Sequence, residues 1–284
     1  MDKKIIDGKI VSEKIRGQIK NQVDDLKNQT SAIPGLAAVL VGEDGPSQIY
    51  VRNKRKACEN VGIYSEEHKL PENTTESDLL NLIDKLNNQE NINGILIQLP
   101  LPNHIDETKI LNSVNPDKDV DGFHPVNAGN LFEGKPSFIA CTPHGIIKML
   151  EHYNLDIEGK NAVVLGRSNI VGKPASILLL QKNATVTICH SRTQNLEGLL
   201  KEADIIVAAI GRANFVKESM VKEGAVVIDV GINRLDSGRL VGDVDFENVI
   251  SKCSMITPVP GGVGPMTITM LLWNTLESFK KSIS

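Results

Sequence analysis

Tyr50 and Lys54 stand four residues apart in a stretch that reads as a helix, so they share one face. Ala57 and Val61 continue the same stripe. A lysine on a core-facing line is either a stem that snorkels along the surface or an amine taken out of water and so available as a base. Gln98 is the one polar side chain in Gly94-Ile95-Leu96-Ile97-Gln98-Leu99. It closes a buried strand at its carboxyl end, where open α/β sheets place their sites, and either caps a loop or serves a site. Asp117-Lys118-Asp119-Val120-Asp121-Gly122 begins like a calcium loop. The twelfth position is Ala128 where a bidentate Glu belongs, and Pro125 interrupts the stretch, so calcium is not expected. The segment is an acidic turn, or one of its aspartates faces a cleft. Arg52, Arg55 and Lys56 make a local basic patch, ordinarily a solvated face.

A second set of residues suggests nucleotide chemistry. Ala162-Val163-Val164-Leu165-Gly166-Arg167-Ser168-Asn169-Ile170-Val171-Gly172 reads as a strand, a turn and a helix start. It departs from G-x-G-x-x-G, because Ser168 occupies the second glycine position and Gly172 lies one residue beyond the third. Gly166 still permits a tight turn, and a helix amino terminus offers N–H groups to a pyrophosphate, although an ordinary βα loop has the same parts. The next strand, Thr185–Cys189, ends in His190-Ser191-Arg192 instead of the Asp or Glu that grips ribose hydroxyls. A hydroxyl and a cation there, joined by Arg167, suit a 2′-phosphate and favour NADP over NAD. Thr257-Pro258-Val259-Pro260-Gly261-Gly262-Val263-Gly264-Pro265-Met266-Thr267 is a rigid, glycine-lined loop of the kind that lets backbone approach a ligand closely.

The elements that must carry these residues alternate between helix and strand. Helical spacing of Ile15, Ile19, Val23 and Leu26 predicts a helix over roughly 9–28. Leu36–Val41 is a short apolar run of the buried parallel type. A helix follows from Pro46-Ser47 to about Val61, then a strand over Ile63–Leu70. Thr75-Glu76-Ser77-Asp78 resembles a capping box and opens a helix carrying Leu79, Leu82, Ile83 and Leu86. Thr142-Pro143 reads as an N-cap and first helical residue. Ile205–Ile210 and Val226–Val230 are further strands, and Pro265 opens a last helix to about Lys280. Such alternation means parallel sheets with covered faces. The two blocks meet at about residue 125–140 and predict two α/β domains.

With 284 residues, 40% hydrophobic and 23% charged, the chain can bury a core without disulfides or metal. A net charge of −4 supplies no basic excess for nucleic-acid binding. Cys58, Cys141, Cys189 and Cys253 form no CxxC pair and read as buried, reduced thiols. The six histidines show no HExxH spacing, and no metal is expected. No G-x-S-x-G elbow appears. The first residues carry charges where a leader needs an apolar run, and no apolar run approaches a membrane span. A cytoplasmic protein with no membrane association is the expectation.

Taken together, these segments resemble the bifunctional methylenetetrahydrofolate dehydrogenase/methenyltetrahydrofolate cyclohydrolase family. The resemblance rests on Pro46–Val51 with Lys54–Cys58, Gly94–Pro102, Asn115–Pro125, Cys141-Thr142-Pro143, Gly166–Pro174, Val230-Gly231-Ile232-Asn233 and the Pro258–Thr267 loop. It runs from about Ile5 to the last helix. It implies oxidation of 5,10-methylenetetrahydrofolate to the 5,10-methenyl form with a nicotinamide cofactor, then hydrolysis to 10-formyltetrahydrofolate, in one cleft between the domains. It implies Lys54 as the central catalytic residue, Tyr50 stacking on the folate, Gln98 supporting Lys54 and Asp121 binding the pterin ring. Pro260, Gly261 and Gly262 join the substrate set. Gly211 and Ile232 join Gly166, Arg167, Ser168, Ser191 and Arg192 in the cofactor set. The implied architecture is an N-terminal α/β folate domain over 1–125, completed by the C-terminal helix 266–284, and a Rossmann-like NADP-binding domain over 126–265. A homodimer is implied by the family alone. Another two-domain NADP dehydrogenase, such as a shikimate-dehydrogenase-like enzyme, would explain the second block but not the Tyr50, Lys54 and Gln98 set. A nucleotide-binding regulator that keeps the fold would not need Lys54.

The strand end at Cys189 generates the first prediction. Replacing Arg167 and Arg192 together with Ala should raise the Michaelis constant for NADP much more than that for NAD. A charge-assisted contact to the 2′-phosphate contributes about 2 kcal/mol, and solvent exposure trims the overall preference to roughly ten- to hundredfold. Steady-state kinetics with both cofactors decides it: an unchanged NADP/NAD ratio in the double variant refutes the assignment.

Overall fold

Prolines, glycines and short apolar runs divide the chain into two parallel sheets with helices between the strands, beside one two-stranded antiparallel pair. The computed structural model describes residues 4–43 and 45–283. In chain order the first elements are α1 (Gly8–Thr30), β1 (Gly35–Val41), α2 (Gly45–Val61), β2 (Tyr64–Leu70), α3 (Glu76–Asn87), β3 (Gly94–Ile97), α4 (Glu107–Ser113) and α5 (Pro125–Phe132). Then follow α6 (Cys141–His152), β4 (Asn161–Leu165), α7 (Gly172–Gln181), β5 (Thr185–Cys189), α8 (Leu196–Glu202), β6 (Ile205–Ala208) and β7 (Val226–Asp229). The chain ends with the short strands β8 (Asn233–Arg234) and β9 (Leu240–Val241), the single-turn α9 (Phe246–Val249), β10 (Met255–Ile256) and the long α10 (Val263–Ile283).

The chain forms two compact units. One comprises Lys14–Cys141 with Ile268–Ser284, and the other Met1–Glu13 with Thr142–Thr267. This differs from the sequence expectation in two respects. Residues 126–141 go with the first sheet, because Asn127 and Cys141 bond to the acidic turn at Pro116–Val120. Residues up to Glu13 go with the second sheet, because Ile6 N–H donates to Ile256 O at 2.8 Å and Ile256 N–H to Lys4 O at 2.8 Å.

The first sheet is parallel, in the order β2-β1-β3. β1 is buried along its whole length, as its unbroken apolar run requires of a central strand. Its Ala37, Val39 and Val41 pack with Leu79, Ile83 and Leu86 of α3 and Ile95 and Ile97 of β3. β2 lies at the edge and is half-exposed, which accounts for its charged Glu66, Glu67 and Lys69. The Thr75 hydroxyl accepts the Asp78 N–H at 3.1 Å and donates to the Asp78 carboxylate at 2.6 Å, so the cap at the start of α3 forms.

The second sheet is also parallel, in the order β10-β7-β6-β4-β5. β5 and β6 lie on opposite sides of β4, so the strand order reverses there and opens a crevice at the carboxyl ends of β4 and β6. Its core gathers Val163, Leu165, Ile206, Ala208 and Val227 with Leu200 and Val249. α6 starts at Cys141, one residue before the expected cap, and the Thr142 hydroxyl instead bonds to that of Thr267 at 2.8 Å. All four cysteines are free and buried. No helix among the described residues is long and apolar enough to cross a membrane.

Two glycines of the first unit give opposite predictions. Gly17 is exposed within α1 and a Cβ there meets nothing within 4 Å, so Gly17→Ala should stabilise by about 0.5–1 kcal/mol. A Cβ on Gly35 would lie 2.0 Å from the Asn91 carbonyl oxygen, so Gly35→Ala should destabilise by about 1–3 kcal/mol. Thermal unfolding of both variants should move the midpoint in opposite directions; a shift of the same sign refutes the packing described for β1.

Candidate active site

In the first unit the helical stripe predicted for α2 is buried, and it carries a cation. Lys54 is 7% exposed, with Ala57 at 3% and Val61 at 2% on the same face. Among the described residues it is the only buried lysine or arginine. A buried ammonium needs an acceptor. Gln98 supplies one, its Oε1 taking a hydrogen bond from Lys54 Nζ at 3.1 Å. The amide is held at both ends, because Nε2 donates to Leu99 O at 2.8 Å. Gln98 N–H donates to Val39 O at 2.9 Å, so the β1–β3 ladder sets its place. The Tyr50 ring, one turn before Lys54, has its centroid 5.8 Å from Nζ, within cation–π range. Burial raises the Tyr50 hydroxyl above its ordinary range and keeps it protonated.

Asp121 belongs to the same electrostatic environment. It is partly exposed, and burial raises its carboxyl to about 6, opposed by Lys54 and reinforced by Asp119. The turn that carries it is held from within. Asp119, 5% exposed, accepts N–H bonds from Phe123 at 3.1 Å and His124 at 2.8 Å and from the Asn127 amide at 2.8 Å. Its neighbour Lys118 donates Nζ to the carbonyls of Leu86 and Gln89. From α10, the Asn274 amide donates to Val120 O at 2.8 Å and to Ile139 O at 2.9 Å, and the Ser278 hydroxyl contacts the Asn93 and Asp117 carbonyl oxygens. A Cβ on Gly122, whose φ is +72°, would lie 2.6 Å from Ala140 N, so only glycine fits beside Asp121.

In the second unit, the crevice edge has the close approaches that a dinucleotide loop needs. A Cβ on Gly166 would lie 2.2 Å from Ala209 O, and one on Gly172 would lie 2.3 Å from Gly166 O. Gly166 N–H donates to Cys189 O at 2.9 Å, which holds the ends of β4 and β5 together. Arg167, Ser168, Ser191 and Arg192 are exposed at those adjacent ends. Two donors expected to be open to a pyrophosphate are engaged: Ser168 Oγ accepts from Val171 N–H and Gly172 N–H, both at 3.2 Å. The serine in place of a glycine thus caps the start of α7. The residues fit NADP: the glycines leave a cradle that side chains would fill, and two exposed guanidinium groups and the Ser191 hydroxyl stand at the adjacent ends of β4 and β5.

The structure therefore brings Tyr50, Lys54, Gln98 and Asp121 into one unit. It places Gly166, Arg167, Ser168, Ser191, Arg192, Gly211 and Ile232 along the carboxyl edge of the second sheet. Pro260, Gly261 and Gly262 follow β10 in that second unit. The Gly261 carbonyl accepts from Gly8 N–H at 3.0 Å, and a Cβ on Gly262 would lie 2.6 Å from Pro258 O. The sequence reading missed the residues that hold these loops from inside. Asp119, Asn127 and Asn274 are one such set, and Asp229 and Asp243 another. Polar side chains at buried positions were the available signal, but burial of isolated residues in loops is invisible without the fold.

Comparison with known proteins agrees with this division of labour. Residues 6–121 match the family profile "Tetrahydrofolate dehydrogenase/cyclohydrolase, catalytic domain", and residues 140–283 match its companion "Tetrahydrofolate dehydrogenase/cyclohydrolase, NAD(P)-binding domain". The bifunctional protein FolD of Bacillus anthracis is 58% identical over 278 residues, 98% of this chain and 97% of that one. The crystal structure of the bifunctional methylenetetrahydrofolate dehydrogenase/cyclohydrolase FolD from Campylobacter jejuni is 51% identical, with a TM-score of 0.96 and 98% of each chain covered. The Trypanosoma brucei enzyme, crystallised with NADP cofactor and inhibitor, is 40% identical at a TM-score of 0.95, again over 98% of each chain.

Proposed function

The chain belongs to the tetrahydrofolate dehydrogenase/cyclohydrolase family, and from that premise we infer that it oxidises 5,10-methylenetetrahydrofolate to the 5,10-methenyl form with NADP and hydrolyses the product to 10-formyltetrahydrofolate. The observation that carries the reading is the buried Lys54 hydrogen-bonded to Gln98 beside the Tyr50 ring. A spectrophotometric assay that follows NADP reduction and then loss of the methenyl absorbance tests both steps on one sample.

When bound, NADP supplies the hydride acceptor for the first step. Gly166, Arg167, Ser168, Ser191, Arg192, Gly211 and Ile232 would hold it. The work of the protein in that step is positioning. The Tyr50 ring offers a face to the folate, and the Asp121 carboxylate accepts the ring N–H and amino hydrogens of the pterin. In the second step the oxygen of water bonds to the methenyl carbon, the bond from that carbon to N5 breaks, N5 takes up one of the two water protons and the other is released. We assign the proton transfer to Lys54: its neutral amine takes a proton from the attacking water, the resulting ammonium returns it, and both forms keep an N–H for Gln98 Oε1. Gln98 holds Nζ at its post through Oε1, and its own Nε2 bond to Leu99 O keeps that oxygen facing the amine.

The finer assignments of partner and place follow the same reading. We place the protein in the cytoplasm, where reducing conditions suit four unpaired, buried thiols. We assign it a homodimer, to be tested by sedimentation velocity.

Lys54→Gln should abolish most of the cyclohydrolase activity and leave the fold intact. Hydrolysis near the wild-type rate, after subtraction of the spontaneous reaction, overturns the assignment. Asp121→Ala should weaken folate binding and leave nucleotide affinity nearly unchanged, because bonds to a charged acceptor contribute roughly 1.5–3 kcal/mol. The raised carboxyl adds a pH signature. Its proton is held up to about 6, so folate affinity should fall as pH drops through that value. Asp121→Asn should remove that dependence; calorimetric titrations at pH 5 and 7 that show the same slope in both proteins refute the role.

A further inference from the structure

Two buried carboxylates in the second unit take no part in the chemistry above. Asp243 is fully buried, and its oxygens accept N–H bonds from three successive residues, Ile210 at 2.7 Å, Gly211 at 3.0 Å and Arg212 at 2.8 Å. The Asn233 amide adds a fourth bond at 3.0 Å. Asp229, 3% exposed, accepts from Gly231 N–H at 3.0 Å and from the N–H groups of Asp243 and Val244, both at 2.9 Å. One carboxylate gathers the loop after β6, the other gathers the loop after β7, and the Asp243 N–H links them. The glycines around them admit nothing larger. A Cβ on Gly231 would lie 2.2 Å from Asp243 Oδ1, and one on Gly242 would lie 1.8 Å from Asp229 Oδ2.

Consecutive N–H groups that converge on one anion form a nest, and the left-handed φ of +65° at Gly211 produces the convergence. Nests commonly hold an anion from outside, such as a phosphate. Here the chain's own carboxylate fills it. In a trans peptide the N–H points opposite to the preceding C=O. Among the described residues the cis bonds are at Pro100 and Pro260, and the Ile210–Arg212 peptides are trans. Their carbonyl oxygens, on Ala209, Ile210 and Gly211, therefore turn away from Asp243. That of Ala209 is directed at Gly166, where a Cβ would meet it at 2.2 Å. The oxygens of Ile210 and Gly211 form an edge of acceptors. Such an edge takes hydroxyl and amide donors and repels phosphate. It lies at β6, across β4 from the Arg167, Ser191 and Arg192 cluster that suits the phosphorylated adenosine.

We propose that Asp243 is a positioning residue that turns the Ile210 and Gly211 carbonyls toward the nicotinamide-ribose half of the dinucleotide, where they accept from its hydroxyl or carboxamide N–H groups. The proposal rests on the nucleotide site assigned above. Asp243→Asn keeps the shape but sets an amide N–H against the converging donors. Affinities for NADP and for adenosine 2′,5′-bisphosphate, which lacks the nicotinamide half, are measured calorimetrically, with circular dichroism and thermal unfolding on the same samples. The expected result is a tenfold or greater rise in the dissociation constant for NADP, with that for the bisphosphate within twofold of wild type. Equal loss of both ligands in a folded variant, or no loss of either, overturns the proposal. Should Asp243→Asn fail to fold, Gly211→Val draws the loop out of its left-handed turn from the open side, where a Cβ meets nothing within 4 Å. It should give the same split, and its absence overturns the proposal. Wild-type protein that binds neither nucleotide overturns the site assignment itself.

Discussion

A positive charge in an apolar layer is the constraint on which the first unit is built. Lys54 sits on the buried stripe of α2, where its Nζ needs a fixed acceptor. Gln98 provides that acceptor only because β3 pairs with β1 in the register Leu36–Gly94 to Val39–Ile97, which carries the next residue to the strand end. A slip of one residue would turn Gln98 to the opposite face of the sheet and leave the amine unpaired. The fully apolar core around Val39, Ile95 and Ile97 therefore does more than hold the sheet together. It fixes the register, and the register fixes the distance between amine and amide.

The two units solve a second problem in the same way. A loop that meets a ligand must keep its shape while some of its polar groups remain available. In the first unit Asp119 draws in the N–H groups of Phe123 and His124, and Asp121 in the same turn keeps a partly exposed carboxylate. In the second, Asp243 draws in three N–H groups of the loop after β6. An inward carboxylate organises the backbone, and the outward face is left for recognition. Burial, with the neighbouring Asp243, raises the Asp229 carboxyl to about 6 against the lowering effect of its three backbone donors.

The apolar runs of β1, β3, β4, β6 and β7 were legible because a buried parallel strand has no alternative pattern. The stripe of Tyr50, Lys54, Ala57 and Val61 was legible because helical spacing forces those residues onto one face. The strand end at His190-Ser191-Arg192 was legible because an absent acidic residue there is as informative as a present one. The carboxylates Asp119, Asp229 and Asp243 were not, because each acts on N–H groups in loops brought to it by the fold. Nor was the placement of the residues up to Glu13, since α1 is a continuous helix and nothing in its sequence marks the point where the contacts change sides. The serine at 168 looked like a missing glycine; its hydroxyl turned out to cap a helix.

The pairing of Ile5 and Ile6 with Ile256 bears on how the molecule is made. These early residues can form their hydrogen bonds only after β10 has been made. At the ordinary speed of synthesis about 250 residues, and on the order of ten to fifty seconds, separate the two. The first unit likewise waits for Asn274 and Ser278 of α10 to hold the turn that carries Asp121. The second unit is therefore completed only after β10 is made, and the first only after Asn274 and Ser278 follow. Until then Ile5, Ile6 and the acidic turn lack these partners, and each unit stays open to mispairing for that interval.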